Sequence, residues 1–267
     1  EIECEPDIPS AIRIWDWTDV YIKTDGSLRG TRPMEYVSPI LHASNYSHWI
    51  DEFTRRVQGY VYNRAGLHIH LGTEDLSWFQ LACLARYCKM HEPEFMYLVS
   101  NSRVPRAGME TAGTPQFLPM ELCKLFRNRE EFIGTLYGPE IAKYGIRLKN
   151  GVCPIKVDKR ANDRGTNYPH GVLNRYQWLN LHGHFHKRAI EIRLHQGTLN
   201  AEKMRNWVAL WLCLVPQISN PRCINVPVLD LLPEDLRCYY TMRAKVLHDR
   251  TQPQPRRMRP GGGIATI

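Results

Sequence analysis

The stretch Gly66-Leu67-His68-Ile69-His70-Leu71-Gly72 alternates between apolar and polar side chains and has a glycine at each end. Residues two apart on a β-strand point to the same face, so a strand here would carry both histidines on one face. Its other face would be aliphatic. The terminal glycines let another backbone or a ligand approach closely. The stretch therefore predicts a short strand with one face able to bind a metal. The alternative is that His68 and His70 are ordinary core or surface histidines.

Three further stretches place polar side chains two apart in the same way. They are Glu1-Ile2-Glu3-Cys4-Glu5, His182-Gly183-His184-Phe185-His186 and Glu191-Ile192-Arg193-Leu194-His195. Strands buried on both faces of a parallel sheet are instead continuously apolar. The pattern therefore predicts an α+β fold, with an antiparallel or mixed β-sheet that has one polar face and helices packed on the other.

The segments between these strands carry helical signals. Apolar residues at helical spacing predict helices over residues 46–61, about 76–91 and 201 to about 218, and two short helices over 119–127 and 129–137. Further strands are predicted over 12–22 and 35–39. We expect one domain over residues 1–248, followed by a basic, Pro/Gly-rich tail over 249–267 that is predicted to be disordered.

Composition narrows the class of protein. The 267 residues contain no apolar run near the roughly 18 to 20 residues that a membrane-spanning helix needs. Eight cysteines without a C-x-x-C pair are typical of a reducing compartment, which predicts a cytoplasmic location. The chain begins at Glu1, within the first predicted strand, so the presence of further residues upstream is left open.

The net charge of +8 favours anionic partners, and ATP phosphates and nucleic acid are both candidates. Much of the excess positive charge lies in the basic segment 149–175 and in the tail. Residues 145–172 show no helical or strand period, and a loop of that length in a compact domain is typical of a functional lid. The alternative is a mobile surface segment.

Carboxylates that share one face, such as Glu1, Glu3 and Glu5, repel one another, and this repulsion destabilises the fold. A bound cation removes the repulsion. The alternatives are a solvated strand face for these acids and a cross-strand ion pair for Glu191 and Arg193. No glycine-rich phosphate-binding motif of the P-loop or dinucleotide type occurs. If ATP binds, carboxylate-held metals and arginines must therefore hold it.

Taken in order, these motifs resemble the amidoligase family, carboxylate–amine ligases related to glutamine synthetase and γ-glutamylcysteine ligase. The resemblance covers residues 1 to about 215. It rests on Glu1-Ile2-Glu3, Trp17, Asp25-Gly26-Ser27-Leu28, Glu35-Tyr36-Val37-Ser38-Pro39-Ile40-Leu41, Gly66 to Gly72, Ser102-Arg103, Arg175, Trp178-Leu179-Asn180, and Ile190 to Asn200, which a tryptophan-bearing helix follows.

This resemblance implies a glutamine synthetase-like catalytic domain. It also implies an ATP- and Mg²⁺-dependent ligase that forms an amide or isopeptide bond through an acyl phosphate. Two or more Mg²⁺ ions are expected, with Mn²⁺ as an alternative. Glu3 and Glu35 would bind one ion, and Glu1, His68 and Glu191 would bind a second.

The other roles that the resemblance implies concern catalysis and ATP. The expected catalytic residues are Arg193, Glu191, Arg103 and Asp25, with Arg193 neutralising the transferring phosphoryl group. The expected cofactor-binding residues are His70, Arg193, Arg175, Lys159 and Arg160.

The expected partners are a small-molecule or peptide carboxylate and an amine, without a membrane, and the oligomeric state is left open. Two alternatives remain: a non-catalytic scaffold or binding protein on the same fold, and a ligase that acts on substrates linked to nucleic acid.

Overall fold

The computed structural model describes residues 1–6, 20–24, 34–61, 65–104, 115–132, 134–136, 177–181, 183–184 and 188–249. Four site predictions, for Asp25, Lys159, Arg160 and Arg175, lie outside these residues, as does the tail from residue 250. The strands are β1 (Ile2–Pro6), β2 (Tyr21–Thr24), β3 (Met34–Val37), β4 (Gly59–Tyr60), β5 (Gly66–Gly72), β6 (Leu179–Asn180) and β7 (Ala189–Gln196).

These strands form one open sheet in the order β2-β3-β1-β5-β7-β6, and β4 pairs with the far end of β1. Every pairing between named strands is antiparallel. The arrangement is a mixed α/β fold with an antiparallel sheet and helices, which agrees with the predicted α+β class. Strand order differs from chain order, so residues far apart in sequence become neighbours in the middle of the sheet.

The helices are α1 (Tyr46–Arg56), α2 (Trp78–Met90), α3 (Glu92–Tyr97), α4 (Ala201–Ile218) and α5 (Glu234–His248). The predicted start of α4 is confirmed, because the side chain of Asn200 accepts a hydrogen bond from the Lys203 amide at 2.9 Å. The second predicted helix is also confirmed. A capping box between Ser77 and Gln80 sets its first residue.

The helices pack on the apolar side of the sheet. Ile69 and Ile192 are opposite each other on β5 and β7, and both are buried in the same core as α1 and α4. The ring of Tyr36 on β3 meets the ring of Phe53 on α1 edge to face, with centroids 5.5 Å apart. Trp207 on α4 is fully buried. The apolar half of each strand's alternation therefore faces this core.

The helix predicted over 119–127 is only a short 3₁₀ helix, Met120–Cys123. Three further details differ from the sequence prediction. The helix predicted over 46–61 ends at Arg56, and the chain continues into the short strand β4. His184 lies outside any strand, although its stretch predicted one. Its ring packs against Trp78 and its Nδ1 lies 2.8 Å from the Thr73 hydroxyl, so it joins the core and not the polar face.

The third difference is a bulge in β7. Leu67 pairs with His195 while Ile69 pairs with Ile192, so β7 has one residue more than β5 over this interval. The bulge breaks the predicted alternation. His195 is buried with its ring 5.0 Å from that of Trp207, and its Nδ1 donates to the Gln196 carbonyl at 2.6 Å. His195 was expected on the polar face, and that expectation is wrong.

Within the described part of the chain, no helix combines the length and the apolar character needed to cross a membrane.

Candidate metal centre

Register places the polar residues of six strands in one band across the sheet. Lys23 pairs with Glu35 and Glu35 with Glu3, which links β2, β3 and β1. His70 pairs with Glu191 and Glu191 with Asn180, which links β5, β7 and β6. The two halves meet in the middle, because Glu1 and His68 exchange backbone hydrogen bonds of 2.8 and 2.9 Å. We call this band the polar face.

A compact group of ligand atoms lies at the centre of the polar face. Ligand atoms of Glu1, His70 and Glu191 are all within 4.8 Å of one another, and the structure holds no other such group of three among the residues it describes. His70 Nε2 is 3.2 Å from Glu1 Oε2 and 4.0 Å from Glu191 Oε1. Three strands that are separate in sequence therefore supply one ligand set.

His68 adds a fourth candidate ligand, which is more deeply buried than His70. Its Nδ1 lies 3.6 Å from Glu1 Oε2 and 3.5 Å from Glu191 Oε1, beyond ordinary hydrogen-bond length. That buried nitrogen has no hydrogen-bond partner in the described structure. Burial, and then the nearby charge of Arg193, lower the pKa of His68 to about 4. His68 is therefore neutral near pH 7, the form in which an imidazole binds a metal.

Glu191 is held in place by two donors. Asn180 Nδ2 donates to its Oε2 at 2.7 Å, and Arg193 Nη1 donates to its Oε1 at 2.5 Å. Burial by itself raises the pKa of Glu191, but the charge of Arg193 and the interactions with His68 and His70 outweigh burial and hold that pKa below its usual value. The carboxylate is therefore ionised and oriented toward both histidines.

Glu35 lies next to this group of ligand atoms, beside Glu1. Burial and the nearby Glu1 carboxylate raise the pKa of Glu35 to about 7, although Lys23 acts in the opposite direction. The Lys23 ammonium lies 2.9 Å from Glu35 Oε1 and 3.7 Å from Glu1 Oε1. For Glu1 itself, burial raises the pKa, but interactions with His68 and His70 outweigh it and lower the pKa.

Glu3 lies nearer to the other ring nitrogen of His68, with its Oε1 3.9 Å from Nε2. Its Oε2 accepts the Gly66 amide at 2.5 Å, and its charge acts on the buried Arg103. Arg103 Nη2 donates to the Arg193 carbonyl at 2.8 Å. Burial lowers the pKa of Arg103 to about 10, with Glu3 opposing the shift, so the guanidinium stays charged at neutral pH.

The structure thus brings together all three predicted ligands of the second metal, Glu1, His68 and Glu191, and adds His70 to them. The predicted pair Glu3 and Glu35 is aligned across β1 and β3, but each of the two has its own cationic neighbour. Sequence reasoning gave no role to Lys23 or Asn180. Alternation along β2 could have placed Lys23 on a face, but no local pattern indicates which acid it would meet.

A matched pair of glycine variants tests how tightly this centre is packed. A Cβ on Gly66 would lie 2.4 Å from His68 Nε2, whereas a Cβ on Gly72 at the other end of β5 meets nothing within 4 Å. We expect Gly66→Ala to lower the free energy of unfolding by about 1–3 kcal/mol, because His68 must shift in a packed site. Gly72→Ala should change it by less than about 1 kcal/mol. Urea denaturation of both variants measures this, and equal effects would contradict the packing.

Comparisons with known proteins give no relative. No protein-family model matches the chain, and no match is found among the curated proteins or the solved structures. The geometry of the polar face is therefore the basis for assigning a function.

Proposed function

We propose that this protein is an ATP- and Mg²⁺-dependent carboxylate–amine ligase with a glutamine synthetase-like catalytic sheet. The observation that carries the proposal is the cluster of Glu1, His70 and Glu191 ligand atoms, with His68 below it and Arg193 beside it. The ordered motifs that resemble the amidoligase family support the same reading. Neighbouring carboxylates and a guanidinium on one face suit the binding of a metal together with a phosphate.

The residues present fit a divalent ion. In an octahedral shell with bonds of about 2.1 Å, adjacent ligand atoms are roughly 3 Å apart. The separation of His70 Nε2 and Glu1 Oε2 is 3.2 Å, and those from His68 Nδ1 to the two carboxylates are 3.5 and 3.6 Å. Small side-chain movements would close this set around one ion. Imidazoles in the set favour Mn²⁺ over Mg²⁺ in affinity, while the abundance of Mg²⁺ would decide occupancy in a cell.

The proposed reaction has two steps. In the first, a substrate carboxylate oxygen attacks the γ-phosphorus of ATP, the bond to the β-phosphate oxygen breaks, and ADP leaves. In the second, an amine attacks the acyl carbon, inorganic phosphate leaves, and the amine loses a proton as the amide forms. When bound, the divalent ion supplies charge stabilisation to the phosphate oxygens.

Arg193 is the residue that best fits the task of neutralising the transferring phosphoryl group. It lies on the polar face beside Glu191, and its side chain is 22% exposed. A guanidinium in a largely water-excluded site stabilises spread negative charge more than it would in water. Its main chain is fixed on both sides, since its amide donates to the Trp178 carbonyl and its carbonyl accepts from Arg103.

Arg103 and His70 then have different roles. Arg103 is 2% exposed and bonded to the main chain of Arg193, which favours orientation of that residue over direct contact with a substrate. His70 has a side chain that is 29% exposed, so it can reach either the ion or a bound nucleotide from the open side of the polar face.

The experiment that tests the proposal is calorimetric titration in two stages. The first titrates Mn²⁺ into metal-free protein, and the second titrates a non-hydrolysable ATP analogue with Mg²⁺ present or with EDTA. We expect Mn²⁺ to bind and the analogue to bind only with Mg²⁺, after which acid–amine pairs can be screened for ADP release. Metal binding without nucleotide binding would contradict the ligase, and the absence of both would favour a non-catalytic scaffold.

A further inference from the structure

Lys23 lies where the predicted first metal ion would be needed. Its ammonium group is 2.9 Å from Glu35 Oε1 and 3.7 Å from Glu1 Oε1, and the antiparallel register of β2 and β3 sets Lys23 opposite Glu35. Glu35 in turn is opposite Glu3, the other predicted ligand of that ion. A positive charge on the chain therefore already reaches the acids that would otherwise need a cation.

The negative charge of Glu3, the other predicted ligand of that ion, also has a neighbouring positive charge. Glu3 accepts the Gly66 amide through Oε2, and its charge acts on the guanidinium of Arg103, which is buried beside β5. In contrast, the buried Nδ1 of His68 has no hydrogen-bond partner in the described structure and lies 3.6 Å from Glu1 Oε2 and 3.5 Å from Glu191 Oε1. An imidazole nitrogen without a hydrogen-bond partner beside two carboxylates indicates where an ion binds. Glu3 lies farther from His68, with its Oε1 3.9 Å from Nε2, and Glu35 lies beside the Lys23 ammonium.

The charge balance leads to the same result. The carboxyl groups of the predicted first site, on Glu3 and Glu35, already have Lys23 and Arg103 as cationic neighbours. A divalent ion bound there would lie close to these two positive charges, and like charges at such distances repel one another. Replacing Lys23 by a neutral residue removes one cation and leaves Glu35 without its ion-pair partner.

We propose that Lys23 acts as a fixed cation in place of a second metal ion, so that the nucleotide-free protein binds one divalent ion on the polar face. This inference rests on the metal site of the proposed function and changes its stoichiometry. An ammonium group can neutralise Glu35 and Glu1, but it has no open coordination position with which to polarise a phosphate oxygen. Any second ion in the reaction would then arrive with ATP and not with the protein.

The test counts Mn²⁺ ions per chain by calorimetry and by electron paramagnetic resonance of unbound Mn²⁺, without nucleotide. We expect one ion for the wild type and two for Lys23→Met, which keeps the side-chain length without the charge. The side chain of Lys23 is 40% exposed, so the variant should fold, and Lys23→Gln provides a second neutral replacement. Lys245→Met on α5 is the matched control and should retain one ion.

The outcomes separate the two proposals. Two ions in the wild type, or one ion in both Lys23 variants, would overturn the role of Lys23 and leave the metal site standing. If neither the wild type nor either Lys23 variant binds Mn²⁺, the metal-dependent function itself is wrong.

Discussion

Replacing Glu191 with glutamine is expected to weaken Mn²⁺ binding by at least about 100-fold and to abolish amide formation. Loss of a residue that only supports a ligand typically costs 10- to 100-fold in metal affinity, so loss of a ligand should cost no less. Glu191 is one of the two acids that His68 and His70 both approach, and its Oε1 also accepts from Arg193. Calorimetric titration with Mn²⁺ measures the change.

Glutamine is preferred to alanine because Glu191 is 7% exposed and bonded to two side chains. An alanine would remove the acceptor that Glu191 offers to Asn180 and Arg193, so a loss of metal affinity could not be separated from a loss of stability. Glutamine keeps the shape and one acceptor oxygen.

Glu5→Gln is the matched control for the Glu191 variant. Glu5 lies on the same strand as Glu1, but it is opposite Tyr60 of β4, further along the sheet. This control removes the same charge from β1 and should change the affinity by less than about threefold, since screened charges at a distance interact weakly. Equal loss in the two variants would indicate a general charge effect and would remove Glu191 from the ligand set.

Replacing Glu92 with alanine is expected to lower the free energy of unfolding by about 3–5 kcal/mol, because it breaks a buried ion pair on one side only. Glu92 is 6% exposed. Its Oε2 accepts from Lys89 Nζ at 2.7 Å, and its Oε1 accepts from the Leu118 amide at 2.6 Å and from Trp178 Nε1 at 2.9 Å. Alanine would leave three donors without this acceptor. Urea denaturation at neutral pH measures the effect.

Glu92→Gln separates the hydrogen bonds from the charge. Its side-chain oxygen can still accept from Leu118 and Trp178, and only the ion pair with Lys89 is lost, so we expect a cost of about 1–2 kcal/mol. A loss below 1 kcal/mol in the alanine variant would show that this network contributes little. Trp178 also accepts the Arg193 amide and precedes β6, which carries Asn180. The alanine variant should therefore weaken Mn²⁺ binding as well, while the glutamine variant should retain it.

The strands that carry the candidate ligands could be predicted from the sequence because strand faces follow a local rule. Alternation over residues 1–5, 66–72 and 189–194 indicates which side chains share a face, and the structure places Glu1, His68, His70 and Glu191 accordingly. The helix Ala201–Ile218 was predictable for the same reason, since its spacing and its Asn200 cap are local signals.

The same local rule fails where a distant contact decides the outcome. A bulge opposite His68 reverses the face of His195 and buries it against Trp207, and alternation cannot show where two strands change register. The position of Lys23 beside Glu35 depends on the pairing of β2 with β3. The network around Glu92 joins residues that lie 26 and 86 positions apart in the chain.

By itself, the sequence determined the faces of the strands up to the bulge in β7, the main amphipathic helices and the types of chemical group that share a surface. It did so because these properties repeat within a few residues. Only the tertiary structure decided which groups meet: His70 and His68 with the same two acids, Lys23 with Glu35, and Arg103 with Arg193. Those contacts depend on strand order and register, and a shift of one residue in register would have moved every ligand of a strand to the other face of the sheet.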